Sequence, residues 1–316
     1  MSTEPLFPPE TSTKRFYERA TYVGIVIALL IWLPLWATGP LQLSGLPELW
    51  HLGLGSIGIG IIVAILRALG PRLDPEQMSF PQLVEVLPMA HDVLKLSFAK
   101  MWMAFLLPVL TFHLLVYSPG FADDWLVQFD RMLGLEHHSW SMWVVEVGLR
   151  GPLLFAYDSL WAQSMAILIW MLVVARATDR LWGMSALSVW AGLAAMPVFF
   201  FLPALGPASQ GVEYPPELIH PAYEMLKGIS DGSIVRVHRL DGIISMPSFH
   251  TFFALTMLWG SWGHRWLLVA VVPLNVVLVL AVYPVGFHYI IDVVGGVLWF
   301  AASAVLMELA RRRFVG

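Results

Sequence analysis

The chain of 316 residues contains no cysteine and has few charged residues, and each shortage excludes a class of chemistry. Without cysteine there is no disulfide, no thiolate metal site and no cysteine nucleophile. Charged residues make up 13% of the chain and hydrophobic residues 58%, and the mean hydropathy is +0.72. This composition excludes an ordinary soluble domain and predicts an integral membrane protein.

Long apolar runs are the main structural signal in the chain. A transmembrane helix needs about 20 mostly apolar residues, and continuous runs favour helices over the alternating segments of a barrel. We therefore predict an all-α polytopic membrane bundle of about eight transmembrane helices, with a six-helix core at 99–309. The eight windows are 21–39, 52–69, 99–117, 153–175, 184–203, 247–263, 266–284 and 288–308, of which the second and sixth are the shortest.

Both ends of the chain are expected in the cytoplasm. The first residues, "MSTEPLFPPETSTKR", carry acids and prolines before any basic residue, unlike a cleavable signal peptide. We predict cytoplasmic tails at 1–20 and 310–316, and two transmembrane helices plus an interfacial segment at 21–98. With the N-terminus inside, the positive-inside rule leaves five of the 18 basic residues outside, namely Arg131, Arg150, Lys227, Arg236 and Arg239. A bacterial inner membrane is the expected location.

Two segments mix charged residues with spaced apolar ones. They are "GPRLDPEQMSFPQLVEVLPMAHDVLKLSFAK" at 70–100 and "FADDWLVQFDRMLGLEHHSWSMWVVEVG" at 121–148. This spacing is typical of helices that lie in the membrane interface. We predict that both segments are scaffold, and that the histidines within them have interfacial or structural roles.

Polar residues stand at the beginning of two late apolar windows, in "SMPSFH" at 245–250 and "HYIID" at 288–292. The two helices are separated by one complete span, so they run parallel and begin on the same face. Ser245 is the predicted cap of the first helix, and Pro247 is placed in its first turn. Unpaired N–H groups at such a helix start attract anions, and Ser248 can add a hydroxyl donor.

The spacing of His288 and Asp292 brings their side chains together, because residues four apart share one face of a helix. A carboxylate on one imidazole nitrogen fixes the tautomer and leaves the other nitrogen free to attack. A second histidine at the same membrane face, His250, can donate a proton to the leaving oxygen. Together these residues predict phosphoryl transfer.

The motifs "PSFH" and "HYIID" resemble those of the membrane branch of the type 2 phosphatidic acid phosphatase superfamily. The resemblance implies that His288 is a nucleophile forming a phosphohistidine, that Asp292 orients it, and that His250 is the acid for the leaving group. Ser248 and Phe249 then belong to the substrate site. No metal or cofactor is implied, and the implied substrate is a lipid or prenyl phosphate at the outer membrane face.

The chain departs from the phosphatase branch at two motifs. Val282 stands where that branch has an arginine, six residues before the nucleophilic histidine, and an upstream K-x6-R-P motif is missing. The flanking residues resemble the subgroup that includes inositol phosphorylceramide synthase, which favours a transferase. We predict that Arg239 and Arg236 bind the phosphate in place of the missing arginine.

A third polar stretch, "AYDSLWAQ", begins the fourth window on the same outer face. The resemblance places Tyr157, Asp158 and Gln163 near the site, although a helix-end hydrogen bond explains them equally well. We interpret Asn275 as an interhelical hydrogen bond. Gly295 and Gly296 are interpreted as positions of close helix contact.

Several functional alternatives remain open at this point. A head-group phosphotransferase and a phosphatase differ only in the acceptor, which the residues do not reveal. A metal-dependent intramembrane hydrolase would also gather histidine and aspartate at one face, and a non-enzymatic lipid transporter would fit the interrupted helices. We expect lipid phosphate and membrane lipids as partners and no nucleic acid, and we leave a homo-oligomer open.

Overall fold

The structure is a computed structural model, and it describes most of the chain. The described residues are 11–43, 47–69, 82–211, 213–219, 221–237, 240, 242–285 and 287–315. Within these ranges the protein is almost entirely helical, which confirms the all-α membrane bundle.

The described fold contains twelve α-helices and one two-stranded parallel sheet, together with a π-helix (Trp170–Val174) and two 3₁₀ helices (Pro207–Gln210 and Pro216–Leu218). The sheet pairs β1 (Gln42–Leu43) with β2 (Arg236–Val237). The helices are α1 (Ser12–Thr38), α2 (Pro47–Leu69), α3 (Gln82–Val116), α4 (Asp123–Met132), α5 (His137–Glu146), α6 (Arg150–Asp158), α7 (Leu160–Ile169), α8 (Thr178–Phe201), α9 (Tyr223–Ser230), α10 (Phe249–Ser261), α11 (Arg265–Val285) and α12 (Ile290–Val315).

Two groups of helices form the bundle. In the first group α1, α3 and α8 pack on one another, with α2 against α3, around a core that includes the fully buried Trp182. In the second group α6 and α10 pack on α11, and α12 packs along α10. Contacts of α8 with α10 and α12 join the two groups, so α8 is the most buried of the long helices.

Each of the eight apolar windows falls on a helix or on the bent pair α6 and α7, and the helices differ in length. Among the described residues, five helices (α1, α3, α8, α11 and α12) are long and apolar enough to cross a membrane. A sixth span is added if α6 and the stretch Leu160–Val174, bent by 45° from it, count as one. The second window lies in α2, whose 23 residues cover about 34 Å, and its stretch His51–Leu66 is apolar. The sixth gives α10, whose 13 residues cover about 20 Å of a hydrocarbon layer about 30 Å thick. The helix in the sixth window is short because α10 begins only at Phe249, after its Ser248 cap.

The two mixed segments fold differently from each other. The segment at 121–148 forms two short helices, α4 and α5, in place of a single one, with exposed Trp125, Trp140 and Trp143. By contrast, residues 82–98 are not a separate interfacial helix, because α3 continues from Gln82 to Val116. Residues 70–81 lie outside the described residues.

The predicted tails are shorter than expected where the structure describes them. Thr11 caps α1 through a hydrogen bond from the N–H of Lys14, so helix replaces tail from Ser12 onward. At the other end α12 continues through the basic residues to Val315. Residues 1–10 lie outside the described residues.

The two ends of the described chain meet on one face of the bundle. Phe16 near the start of α1 stacks on Phe314 near the end of α12, with ring centroids 6.2 Å apart. Because α12 has 26 residues and is about 39 Å long, its first turn lies at the opposite face. That first turn contains Asp292.

Close approach of α10 and α12 depends on glycine. The N–H of Ser248 donates to the carbonyl of Asp292 over 2.9 Å, which ties the two helix starts together. A Cβ on Gly296 would stand 2.6 Å from the Ser248 carbonyl oxygen, and one on Gly295 would stand 2.8 Å from the side chain of Met246. The interpretation of these glycines as contact positions is confirmed.

Replacing Gly296 with alanine is therefore expected to push α12 away from α10. The added methyl group meets backbone, which cannot rotate aside, and overpacking of this kind costs about 1–3 kcal/mol. We expect a lower Tm and a loss of most activity, measured by thermal unfolding and turnover in the same detergent. Gly58→Ala in α2 is the matched control, since a Cβ there has no heavy atom within 4 Å. A Gly296→Ala protein as stable and active as the control would contradict the close packing.

Candidate active site

The start of α10 is capped by a different serine from the one predicted. Ser248, not Ser245, is the N-cap, and its hydroxyl accepts from the N–H of Thr251 over 3.4 Å. Pro247 consequently precedes the helix instead of lying in its first turn. Ser248 is fully buried, so its role in the structure is to hold the first turn that carries His250.

Ser245 instead belongs to a buried cluster around Asp292. Its hydroxyl donates to Oδ2 of Asp292 over 2.5 Å and lies 3.4 Å from Nδ1 of His288. Oδ2 of Asp292 also lies 3.3 Å from Nδ1 of His288 and accepts the N–H of Tyr289 over 3.0 Å. The carboxylate therefore anchors the imidazole at Nδ1, so that the lone pair of His288 is at Nε2.

His250 lies across from His288, as the parallel helix starts predicted. The two ring centroids are 6.0 Å apart and the rings are inclined at 71°. The ring of Tyr157, from α6, stacks on His250 with centroids 3.9 Å apart. Tyr157 is 9% exposed, and it also belongs to the apolar cluster formed with α11.

Two acids of α4 hold the loop that carries His288. Asp123 accepts the hydroxyl of Tyr289 over 2.9 Å, and it also accepts the N–H groups of Leu205 and Gly206 over 2.9 Å each. Burial raises the pKa of Asp123, and the hydrogen bonds that it accepts oppose this shift. Burial also raises the pKa of Tyr289, which therefore stays a hydroxyl donor.

The second acid, Asp130, caps the next helix. Its Oδ1 accepts the N–H of Ile290, the first residue of α12, over 3.0 Å. Burial raises the pKa of Asp130 to about 6, the Ile290 N–H offsets part of this effect, and the nearby charge of Asp292 adds to it. α4 thus contacts the site from behind, although the sequence interpretation made it scaffold alone.

Helix α5 makes hydrogen bonds to the last turn of α11, just before the loop that carries His288. Nε2 of His137 donates to the carbonyl of Tyr283 over 2.7 Å, while its Nδ1 lies 3.0 Å from the hydroxyl of Tyr214. Ser141 donates to the carbonyl of Pro284 over 2.9 Å. Burial lowers the pKa of His137 to about 4, so this histidine is neutral at physiological pH and serves as a fixed donor.

The backbone just before His288 is held in an unusual conformation. Phe287 has φ of +61°, a left-handed value that is uncommon for a bulky residue. Gly206, itself at φ +96°, passes so close that a Cβ on it would stand 2.9 Å from the Phe287 carbonyl oxygen. Conformations of this kind persist where surrounding contacts determine them, and they cluster at functional sites.

The other residues proposed for binding have mixed positions. Phe249 is half-buried and packs on Phe252 and Phe253. Asp158 is exposed at the end of α6. Arg236 is exposed on β2, where it pairs with Gln42, and Arg239 lies outside the described residues.

The polar residues deeper in the membrane form an interhelical bridge. Nδ2 of Asn275 donates to Oε1 of Gln163 over 2.6 Å, and Gln163 in turn donates to Ser159 over 2.9 Å. The interhelical interpretation of Asn275 is confirmed, and Gln163 is its partner across the α7–α11 contact.

Sequence interpretation missed Asp123, Asp130, His137 and Ser141 as contacts of the site. Their signal was weak, since acids and histidines also occur on ordinary interfacial helices. The sequence carries one usable hint, because Asp123, Leu126 and Asp130 recur at helical intervals. In the structure all three are buried, so α4 buries its acids on the same face as its apolar residue. A buried acidic face needs donors from elsewhere in the chain.

The fold and the paired histidines together define the class: an integral membrane bundle with a histidine–carboxylate site at the start of two parallel helices. Comparison with family models then identifies the family, since residues 124–306, more than half of the chain, match the PAP2 superfamily. The chain belongs to this superfamily, whose members are generally phosphatases or phosphotransferases. No curated protein and no solved structure matches the chain.

Proposed function

We propose that the protein transfers or hydrolyses the phosphate of a lipid or prenyl phosphate through a phosphohistidine on His288. The observation that carries the proposal is the pairing of a histidine anchored at Nδ1 by Asp292 with a second histidine 6.0 Å away. A phosphoryl group between the two rings can meet Nε2 of one and the proton of the other. Membership of the PAP2 superfamily supports the same chemistry.

In the first step Nε2 of His288 attacks phosphorus, so that an N–P bond forms and the P–O bond to the lipid breaks. His250 gives its proton to the departing lipid oxygen. The His288 ring acquires positive charge, which the Asp292 carboxylate at Nδ1 stabilises. The stacked Tyr157 and the cap at Ser248 hold His250 in place for this transfer.

In the second step a water or an alcohol attacks the phosphohistidine. The new O–P bond forms, the N–P bond breaks, and the proton of the acceptor passes to His250. Both steps use the same two imidazoles in reversed roles, as microscopic reversibility requires. Water as acceptor makes the protein a phosphatase, and a lipid or sugar alcohol makes it a phosphotransferase.

The second part of the proposal is that the acceptor is an alcohol, so that the protein is a phosphotransferase. Val282 is fully buried among apolar residues of α6 and α11, in the position where the phosphatase branch has an arginine. The phosphate charge must therefore be met elsewhere, and resemblance to the inositol phosphorylceramide synthase subgroup favours an alcohol acceptor. The site is proposed to face outward, because it lies opposite the face where both chain ends meet.

The proposal is tested with purified protein in detergent, EDTA and a panel of lipid and prenyl phosphates. Phosphate release identifies a phosphatase. Exchange of the phosphoryl head group between added lipids, with no free phosphate, identifies a transferase. Activity that EDTA abolishes and zinc restores would favour a metal-dependent hydrolase. The absence of both phosphate release and head-group exchange would favour a transporter.

Replacement of Arg239 with alanine is expected to reduce turnover at least about tenfold. The segment that contains Arg239 leads directly into α10, and a charged hydrogen bond to phosphate contributes about 1.5–3 kcal/mol. Turnover against substrate concentration is the measurement, with Lys227→Ala, an exposed base on α9, as the control. A rate unchanged from wild type would remove Arg239 from the phosphate site.

A further inference from the structure

A buried chain of hydrogen bonds connects α11 to the break between α6 and α7. Nδ2 of Asn275 donates to Oε1 of Gln163 over 2.6 Å, and Nε2 of Gln163 donates to Oγ of Ser159 over 2.9 Å. Ser159 in turn donates to the carbonyl of Ala156, in the last turn of α6, over 2.6 Å. All three polar side chains are buried. We call Asn275, Gln163 and Ser159 the polar bridge.

The polar bridge lies at the 45° bend between α6 and the stretch Leu160–Val174. Ser159 stands in that break, with its hydroxyl bonded to α6 on one side and to Gln163 on the other. A serine hydroxyl that bonds back to the preceding turn often bends a helix, and sharp bends have an identifiable cause of this kind. Because Asn275 holds Gln163 from α11, the bend is tied to a third helix.

The residue that this bend places is Tyr157, which follows Ala156 in the last turn of α6. Its ring stacks on His250 with centroids 3.9 Å apart and planes inclined at 19°. Tyr157 also belongs to an apolar cluster with Leu278 and Val282 of α11, but apolar contacts are not directional. The hydrogen bonds of the polar bridge are directional, so they determine where the end of α6 points.

Packing alone gives no reason for three polar side chains at this place in the bundle. Hydrogen bonds between transmembrane helices add little net stability. Apolar side chains of the same shape in place of both partners would be nearly neutral for stability. The geometry of the polar bridge therefore favours a role in positioning over a role in stability.

We propose that Asn275 and Gln163 are positioning residues that fix the bend between α6 and α7. The bend in turn holds the Tyr157 ring against His250. The consequence for catalysis rests on the proposed function: His250 gives its proton to the departing lipid oxygen as the N–P bond forms and the P–O bond breaks. The polar bridge exchanges no proton in that step and acts only on the alignment of the His250 ring.

The test compares Asn275→Leu with the double variant Gln163→Met/Asn275→Leu. Asn275→Leu leaves Oε1 of Gln163 buried without its donor, so its Tm should fall. The double variant replaces both partners by apolar side chains, and its Tm should lie within about 2 °C of wild type. The control is Ser56→Ala, which removes a hydrogen bond from Trp102 that joins α2 to α3 in the other group of helices.

Activity should not follow stability in these variants. On a lipid phosphate, Asn275→Leu and the double variant should both lose at least about tenfold in kcat with little change in KM, because a small misplacement of the proton donor is costly. A nitrophenyl phosphate leaves without protonation, so the loss on that substrate should be about twofold or less. Ser56→Ala should match wild type on both substrates.

A second readout needs no turnover. Diethyl pyrocarbonate modifies accessible imidazole nitrogens, and mass spectrometry of peptides gives the rate of modification at His250, which is half-buried. In wild type the stacked Tyr157 ring covers one face of that imidazole. The rate should rise in both bridge variants toward that of Tyr157→Leu, which lacks the stacked ring, and stay unchanged in Ser56→Ala.

The outcomes separate this inference from the proposed function. If the double variant recovers both Tm and activity on the lipid phosphate, or does not fold, the polar bridge is structural and the inference is overturned. Equal losses on the lipid and nitrophenyl substrates overturn it too, because proton donation by His250 is then not the step affected. If wild type is inactive on both substrates, the proposed function fails and the modification rate decides. A wild-type rate at His250 in the double variant then overturns the inference, and a raised rate supports it.

Discussion

Replacing His288 with alanine is expected to abolish turnover, with a loss of at least about a thousandfold, because no other group supplies the nucleophile. The cavity left by the ring is small and lies beside the buried Asp292, so the bundle itself should persist. Phosphate release or phosphoryl exchange, whichever wild type performs, is the measurement, with Tm recorded on the same samples.

The control for this variant is His264→Ala. His264 lies in the turn between α10 and α11, at the opposite end of α10 from His250, and is half-exposed. It should keep wild-type turnover. Activity retained by His288→Ala at more than a few per cent would exclude His288 as nucleophile.

The second large effect is expected at His250, and it should depend on the leaving group. His250→Gln removes the acid that protonates the lipid oxygen, and loss of a general acid costs about 10²–10⁴ in rate. A nitrophenyl phosphate leaves without protonation, so the same variant should lose far less on that substrate. The measurement is the ratio of kcat for the two substrates in wild type and variant.

A uniform loss on both substrates would contradict the assignment of His250 as the acid. Tyr157→Leu is a useful companion, because it keeps His250 and removes the ring that stacks on it at 3.9 Å. Its loss should be smaller than that of His250→Gln and should show the same dependence on leaving group.

The parts of the fold that depend on local pattern were predictable. Apolar runs mark helices, and four-residue spacing brought His288 close to Asp292, with 3.3 Å between Nδ1 and Oδ2. The two do not share a helix face as predicted, because His288 precedes the first residue of α12. The parallel order of two helices placed His250 opposite them. These inferences need only the chain near each motif and the direction of the intervening span.

The parts that depend on contacts between distant segments were not predictable. Asp130 and Ile290 are separated by 160 residues, and His137 and Tyr283 by 146. No local pattern indicates such pairs, so the segment at 121–148 was interpreted as scaffold. The N-cap of α10 was also misassigned, because Ser245 and Ser248 are equally good caps by residue type. They differ in the hydrogen bond that Ser245 donates to Asp292, a residue distant in sequence.

The most direct test of the account is to trap the covalent intermediate. Wild-type protein is quenched under alkaline conditions during turnover of a radiolabelled lipid phosphate, and the label is mapped by mass spectrometry of peptides. We predict an acid-labile, base-stable phosphohistidine at His288 that is absent in His288→Ala. If the acceptor is an alcohol, the phosphohistidine accumulates when that alcohol is withheld. Turnover without any labelled protein, or a label on His250 or on a carboxylate, would contradict it.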